Sequence, residues 1–261
     1  MHRKSEEKQV PAVLVTGGAK RIGKAICTAL AGAGYNVAIH YNASAEPARA
    51  LAEVLAQHGI KTAVVQADLA NEAAVNALVA AAAQALGEDL TALVNNASLF
   101  EWDSWDTADT ELWHRHHMVN LRAPYLLSRA FAQQAKARDN PAIINIIDQR
   151  VRRLNPQFFS YTLSKASLWT MTQTLAQALA PDIRVNGVGP GPVLQSIHQD
   201  SSIFENEAAN TPLAQSVEPQ EIAQACLYLL EARKVTGQMI AVDSGQHLAW
   251  RTPDVGGDHH G

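Results

Sequence analysis

Asp148, Tyr161 and Lys165 put a carboxylate, a phenol and an ammonium within reach of one reaction centre. Tyr161 and Lys165 are four residues apart in Tyr-Thr-Leu-Ser-Lys, a spacing that sets both side chains on one face of a helix. A phenol with an ordinary pKa of about 10 is poorly matched to proton transfer at neutral pH. A cation at roughly 4 Å contributes up to ~4 kcal/mol at an effective dielectric of 20, enough to lower that pKa by about two or three units before desolvation opposes it. Tyr161 is therefore expected to be an acid tuned by Lys165. Asp148 changes what that acid can serve. An ionised carboxylate repels an oxyanion forming on a substrate carbonyl, so the trio favours reduction of a C=N bond over that of a ketone. Asp148 also stands where a turn near Val151 would take a cap, and the two roles are both open.

These side chains need a scaffold, and the chain alternates short β-rich runs with longer helical patterns. The runs are Val13–Thr16, Val37–Tyr41, Thr62–Gln66, Ala92–Asn95, Ile143–Ile147, Ile183–Val188 and Met239–Val242. Segments between them, such as Glu46–His58 and Glu72–Leu86, are rich in Ala and Leu with helical periodicity. The expected fold is α/β: a single-domain Rossmann fold whose doubly wound parallel sheet has about seven strands. Residues 11–251 form the domain, with flexible ends at 1–10 and 252–261. Helices are also expected over Asn120–Ala137 and Ser160–Ala180. The stretch Pro190–Thr211, with three prolines and little periodicity, is expected to be irregular and to follow a strand end as a substrate lid.

Composition narrows the partners. A chain of 261 residues, 47% hydrophobic and 18% charged, can bury a sizeable core. A net charge of -4 offers no broad basic field, which argues against nucleic acid or an acidic membrane as partner. No apolar run reaches the length of a membrane span, and the charged start MHRKSEEKQV does not read as a secretory signal. Cys27 and Cys226 cannot form a disulfide framework, and a reducing cytoplasm fits.

The first strand runs into Thr16-Gly17-Gly18-Ala19-Lys20-Arg21-Ile22-Gly23 and then a helix. In that context glycines let a pyrophosphate approach the backbone and the helix N-terminus. At the end of the second strand, Ile39-His40-Tyr41-Asn42-Ala43-Ser44 lacks the acid that would bond the ribose hydroxyls of NAD. Its absence removes repulsion against a 2′-phosphate, to which Ser44 and nearby amides can donate, with Lys20 or Arg21 adding charge. The expected cofactor is NADPH. Ser44 also suits the cap of the next helix. Asp68 ends the third strand segment, where it either accepts from an adenine amino group or caps the helix beginning near Asn71.

Together, Thr16-Gly17 to Gly23, Asn95-Asn96-Ala97, Asn120, Tyr161, Lys165 and Pro190-Gly191 resemble the short-chain dehydrogenase/reductase family from about Val13 to Leu248. The family's serine would fall thirteen residues before Tyr161, where this chain has Asp148. Arg21 in place of the loop's middle glycine, His40-Tyr41, Phe100 and Asp148 resemble the pteridine reductases and, more distantly, the dihydromonapterin reductases. That resemblance implies an NADPH-dependent reduction of dihydropterin, oxidised pterin or folate. Tyr161 would supply a proton to ring nitrogen, Lys165 would tune it and hold the nicotinamide ribose, Asn120 would position a relay water, and Asp148 would assist proton delivery. Arg21 would contact both cofactor phosphate and substrate, and Phe100 would stack on the pterin. The implied cofactor contacts extend over Gly17, Lys20, Arg21, Ile22, Gly23, His40, Tyr41, Asn42, Ser44, Asp68, Leu69, Asn96, Ala97, Ser98, Lys165, Pro190 and Gly191. Ala43 departs from the pattern, standing where pteridine reductases carry an arginine. The family usually forms tetramers, so a homotetramer is implied, and Leu248-Ala249-Trp250-Arg251 could reach a neighbour's site.

Other signals point elsewhere. His114, His116 and His117 lack companions for a metal site and read as surface or interface histidines. Trp102, Trp105 and Trp113 could line the pocket or pack helices. Arg150, Arg152 and Arg153 lie beside the site, where one could attract the glutamate tail of a folate. Two other functions compete: a ketone or oxo-ester reductase of the same family, and an NADP-binding sensor without turnover, against which the intact Tyr161 and Lys165 argue.

Overall fold

The computed structural model describes residues 10–135, 139–193 and 201–250. Among the described residues, seven strands form one parallel sheet: β1 (Ala12–Val15), β2 (Asn36–Tyr41), β3 (Thr62–Gln66), β4 (Ala92–Asn95), β5 (Ala142–Ile146), β6 (Arg184–Pro190) and β7 (Met239–Val242). Their order is β3-β2-β1-β4-β5-β6-β7. The expected doubly wound fold is borne out, with each expected strand present. The chain direction across the sheet reverses between β1 and β4, which opens a crevice at their carboxyl ends.

The strands are apolar because both faces are covered. Along β1, Val13 and Val15 pack on one side with α1 (Arg21–Gly32) and α2 (Ala45–Ala56), while Ala12 and Leu14 pack on the other with α3 (Glu72–Leu86). Alternation along the strand sends neighbours to opposite layers. α3 starts at Asn71, whose side chain accepts from Ala74 N, and stops at Gly87 in the left-handed region. α4 (Thr110–His117) leads through a π-helical turn, Met118–Arg122, into α5 (Ala123–Ala135). α6 (Phe159–Ala178) follows β5 and carries the Tyr-Lys pair.

Two sequence expectations need correction or restriction. The stretch expected to be irregular contains a helix, α7 (Ser201–Ala209), whose run of Glu, Asn and Ala tolerates a short helix once Phe204 and Ala208 turn inward. Residues 194–200 of the expected lid lie outside the described residues, as do the expected flexible ends apart from Val10, and Arg251. After α7, α8 (Pro219–Glu231) begins with proline at its first position, and Glu218 N donates to Glu221 at 2.8 Å. Among the described residues no helix is long and apolar enough to cross a membrane.

Candidate active site

The β1 and β4 ends are stapled together before any ligand is considered. Thr16 Oγ1 accepts from Asn96 N at 2.9 Å and Ala97 N at 3.0 Å, and Asn96 Nδ2 donates back to the carbonyls of Thr16 and Gly17 at 2.8 and 3.1 Å. Gly17 sits at φ +60, and a Cβ on Gly23 would lie 2.1 Å from the Gly17 carbonyl oxygen. Only glycine permits so close an approach. The first turn of α1 has no acidic residue and no side-chain cap, so the positive end of the helix faces the crevice. Arg21 adopts φ +50, a conformation that costs a non-glycine residue about 1 kcal/mol or more. Arg21 and Ile22 line the crevice.

His40 was expected among the cofactor contacts, but its ring is buried beneath the loop. Nδ1 accepts from Gly17 N at 3.0 Å, and Nε2 donates to the Ala67 carbonyl at 3.0 Å. Burial lowers its pKa. A neutral imidazole with both nitrogens occupied shapes the glycine turn and leaves no ring nitrogen for a ligand. The Leu69 side chain is likewise in the core, which leaves only its main chain for contact. Asp68 does not cap α3; it accepts from Ala70 N at 2.9 Å while Asn71 takes the cap. Ser44 precedes α2 without a side-chain cap bond. Tyr41, Asn42, Ala43 and Ser44 place no acid at the β2 end, and Lys20 is exposed at the start of α1. Ser98, Asn96, Ala97, Pro190 and Gly191 all stand at the same sheet edge.

The reacting trio is assembled by β5 and α6. Tyr161 Oη donates to Asp148 Oδ2 at 2.8 Å. Asp148 Oδ1 accepts from Arg150 N at 2.8 Å, capping the turn Gln149–Val151, so the capping and chemical roles coexist on two oxygens. Lys165 Nζ donates to the Ile146 carbonyl at 2.9 Å and lies 5.7 Å from the Tyr161 ring centroid. Burial lowers the Lys165 pKa to about 8, with Asp148 pulling it upward. The expected lowering of the phenol by Lys165 is overturned: burial and Asp148 hold Tyr161 well above its ordinary value. Asp148 is itself raised by burial, which outweighs Arg150, Tyr161 and Lys165. Desolvation, invisible in a four-residue spacing, decides the sign.

The Asn120 side chain leaves no position of its own for the expected relay water. Its Oδ1 accepts from Leu99 N at 2.8 Å and Ser98 Oγ at 3.2 Å; its Nδ2 donates to Leu99 O at 2.9 Å and Ser164 Oγ at 3.1 Å. All four positions of the amide are taken by protein, and the π-helical turn sets it there. Its side chain locks the segment that carries Phe100.

Phe100, Asp148 and Tyr161 line one cavity of about 470 Å³ together with Arg21, Asn96 and Lys165. A second chamber of about 550 Å³ adjoins it, sharing Phe100, Gln149 and Arg150 and adding Trp102, Arg153 and Phe158. Phe158 was not expected here. It stacks on Phe100 with centroids 4.2 Å apart at 16° and carries the Arg150 guanidinium 5.2 Å from its own centroid. Phe100 also meets Tyr161 edge-on at 4.7 Å. The signal available was the aromatic pair Phe158-Phe159 just ahead of Tyr161. Trp102 packs edge-on against Phe158, Trp113 stacks on His117, and Trp105 is exposed. Arg152 donates to the Met239 carbonyl at 2.8 Å. His116, expected at a surface or interface, is instead fully buried, because both ring nitrogens find partners inside.

A glycine-rich strand-to-helix turn at the switch point of a seven-stranded parallel sheet, with Tyr161 and Lys165 opposite it, defines an oxidoreductase of the short-chain dehydrogenase/reductase type. Residues 17–247 match the family model described as enoyl-(acyl carrier protein) reductase, and the chain belongs to this family. FolM alternative dihydrofolate reductase 1 of Brucella suis, solved in complex with NADP, is 48% identical with a TM-score of 0.90, over 94% of this chain and 98% of its own. A blue fluorescent protein from a metagenomic library, solved with NADPH, is 32% identical with a TM-score of 0.84, over 90% and 97% of the two chains. The 3-oxoacyl-(acyl-carrier-protein) reductase FabG of Staphylococcus aureus strain Mu50 is 30% identical, over 92% of this chain and 100% of its own.

Proposed function

We propose that this chain is an NADPH-dependent reductase of pterins that takes dihydropterins to tetrahydropterins, with dihydrofolate and oxidised pterins as further candidates for the same site. The 2.8 Å bond from Tyr161 to Asp148 carries the reading. Both groups hold protons more tightly than in water, and both line the cavity. A ring nitrogen that must gain a proton is served by such a pair, whereas a developing alkoxide is opposed by the carboxylate. Phe100 offers the aromatic surface a flat heterocycle needs.

The residues present fit the dinucleotide. Gly17, Gly23 and the uncapped start of α1 would hold its pyrophosphate, and Ser44, Lys20 and Arg21 its 2′-phosphate. When bound, NADPH supplies the hydride. Lys165 would hold the nicotinamide ribose, and Tyr161 keeps its proton at Oη until a ring nitrogen accepts it. Arg150 and Arg153 in the adjoining chamber support a folate, whose tail is anionic. The relative named a dihydrofolate reductase supports the same class.

NADPH oxidation with dihydrobiopterin, dihydromonapterin, dihydrofolate, biopterin and a panel of ketones tests this. Turnover of pterins or folate with little of ketones is expected. The FabG relatives favour an oxoacyl substrate, and good ketone turnover without pterin turnover would select it. Binding without turnover would select the sensor. The proposal extends to a cytoplasmic homotetramer, supported by two free buried cysteines and by exposed Tyr125 on α5 beside Leu175 of α6 and Leu179 just past its end. Light scattering on the purified protein measures its mass.

A further inference from the structure

Behind the reacting pair lies a set of polar side chains that the reduction chemistry does not use. Asp103, His116 and Ser160 are 1%, 0% and 0% exposed, and they come from the loop after Phe100, from α4 and from the start of α6. The Asp103 carboxylate accepts from Ser160 N at 3.1 and 3.2 Å and from Ser160 Oγ. His116 Nδ1 lies 2.6 Å from Ser160 Oγ, and its Nε2 accepts from Glu101 N at 3.2 Å.

The hydrogens in this set follow one direction. Ser160 has a single hydroxyl proton, and Asp103 takes it. Ser160 Oγ must then accept from His116 Nδ1–H, which leaves Nε2 as a bare acceptor for Glu101 N–H. The ring is neutral in this arrangement, in keeping with the lowering of its pKa by burial. The bridge joins the residue after Phe100 to the residue before Tyr161, and those two rings stand 4.7 Å apart.

We propose that Asp103, Ser160 and His116 are positioning residues: their one-directional hydrogen-bond chain fixes the Phe100–Glu101 segment against the start of α6 and so sets the gap between the Phe100 ring and Tyr161. The inference rests on the reading that a flat substrate is reduced beside Phe100. Asp103 acts through Ser160, as an orienting acceptor that selects a histidine tautomer.

His116→Gln preserves the direction, because its amide N–H can donate to Ser160 and its oxygen can accept from Glu101. His116→Leu removes both bonds. The expected result is a kcat for pterin reduction lower by at least ~10-fold in His116→Leu, since a misplacement of about 1 Å can cost ~10²-fold, with the KM for NADPH unchanged. His116→Gln should restore most of the loss. Equal damage from both substitutions, or none from His116→Leu, overturns the proposal. Should His116→Leu fail to fold, Asp103→Asn serves: either orientation of its amide brings two donors together in the chain, and the same fall in kcat is expected. The tautomer is read without substrate, from the imidazole ¹⁵N shifts of the wild-type protein, with His116→Gln locating the signal. A neutral Nδ1–H form is expected, and an Nε2–H form or a charged ring overturns the chain. Absence of pterin turnover by the wild type would count against the reductase reading, while the ¹⁵N result would still decide the network.

Discussion

The two sides of the crevice are built from different materials. On the β1 side, the contacts that shape the loop are uncharged: glycines in close approach, a Thr16–Asn96 staple and a buried His40 with both ring nitrogens bonded. On the β5–α6 side, three ionisable groups share a buried corner, and each has its pKa displaced. The first side is sensitive to volume. The second is sensitive to where its protons sit. Binding and proton transfer should therefore be separable by mutation.

Tyr161→Phe should show the largest effect, a loss of ~10²–10⁴-fold in kcat, with NADPH affinity by fluorescence titration near that of the parent. A parallel fall in affinity would break the division. Asp148→Ser should lower pterin reduction by at least ~10²-fold; unchanged activity would remove Asp148 from the chemistry. On the other side, Gly23→Ala pushes a methyl toward the Gly17 carbonyl. Overpacking of ~1–3 kcal/mol predicts roughly 5- to 150-fold weaker NADPH binding, with the pH profile of the chemical step unaltered.

Smaller effects sharpen the contrast through stability. The pKa of Asp148 is raised in the folded protein, so the native state binds its proton more tightly than the unfolded chain does. Its stabilising contribution is present below the ordinary carboxylate value and is lost as pH rises through the folded value. Asp148→Asn removes that slope. The variant should be more stable than the parent at about pH 7, and the advantage should shrink as pH falls toward about 4, as followed by urea unfolding. Arg21→Gly should give the smallest shift. Relief of the φ +50 backbone is worth about 1 kcal/mol, a rise in melting temperature of roughly 2–4 °C, while NADPH binding weakens.

Much of the architecture was legible along the chain. β3, β4 and β7 begin and end where their apolar runs do, and α3 spans the expected Glu72–Leu86, because strand and helix periods are local properties. The crevice residues were legible for the same reason: a glycine turn follows β1 directly, and the Tyr-Lys pair stands one helical turn apart on α6. Phe158 was not, since its stacking on Phe100 joins segments 58 residues apart. Nor was the full engagement of Asn120, which depends on the path of Leu99 and on Ser164 across a helix pair.

Residue types and spacings by themselves determined the parallel sheet, the dinucleotide-type turn, and the placing of a phenol and an ammonium on one helical face beside a carboxylate. Those follow from backbone periodicity and from chain order alone. The fold decided how the charges behave. Lys165, expected to tune the phenol, is drawn to the Ile146 carbonyl, and Tyr161 answers instead to burial and to Asp148. The cost of removing a charge from water depends on everything packed around it, and no interval along a chain encodes that.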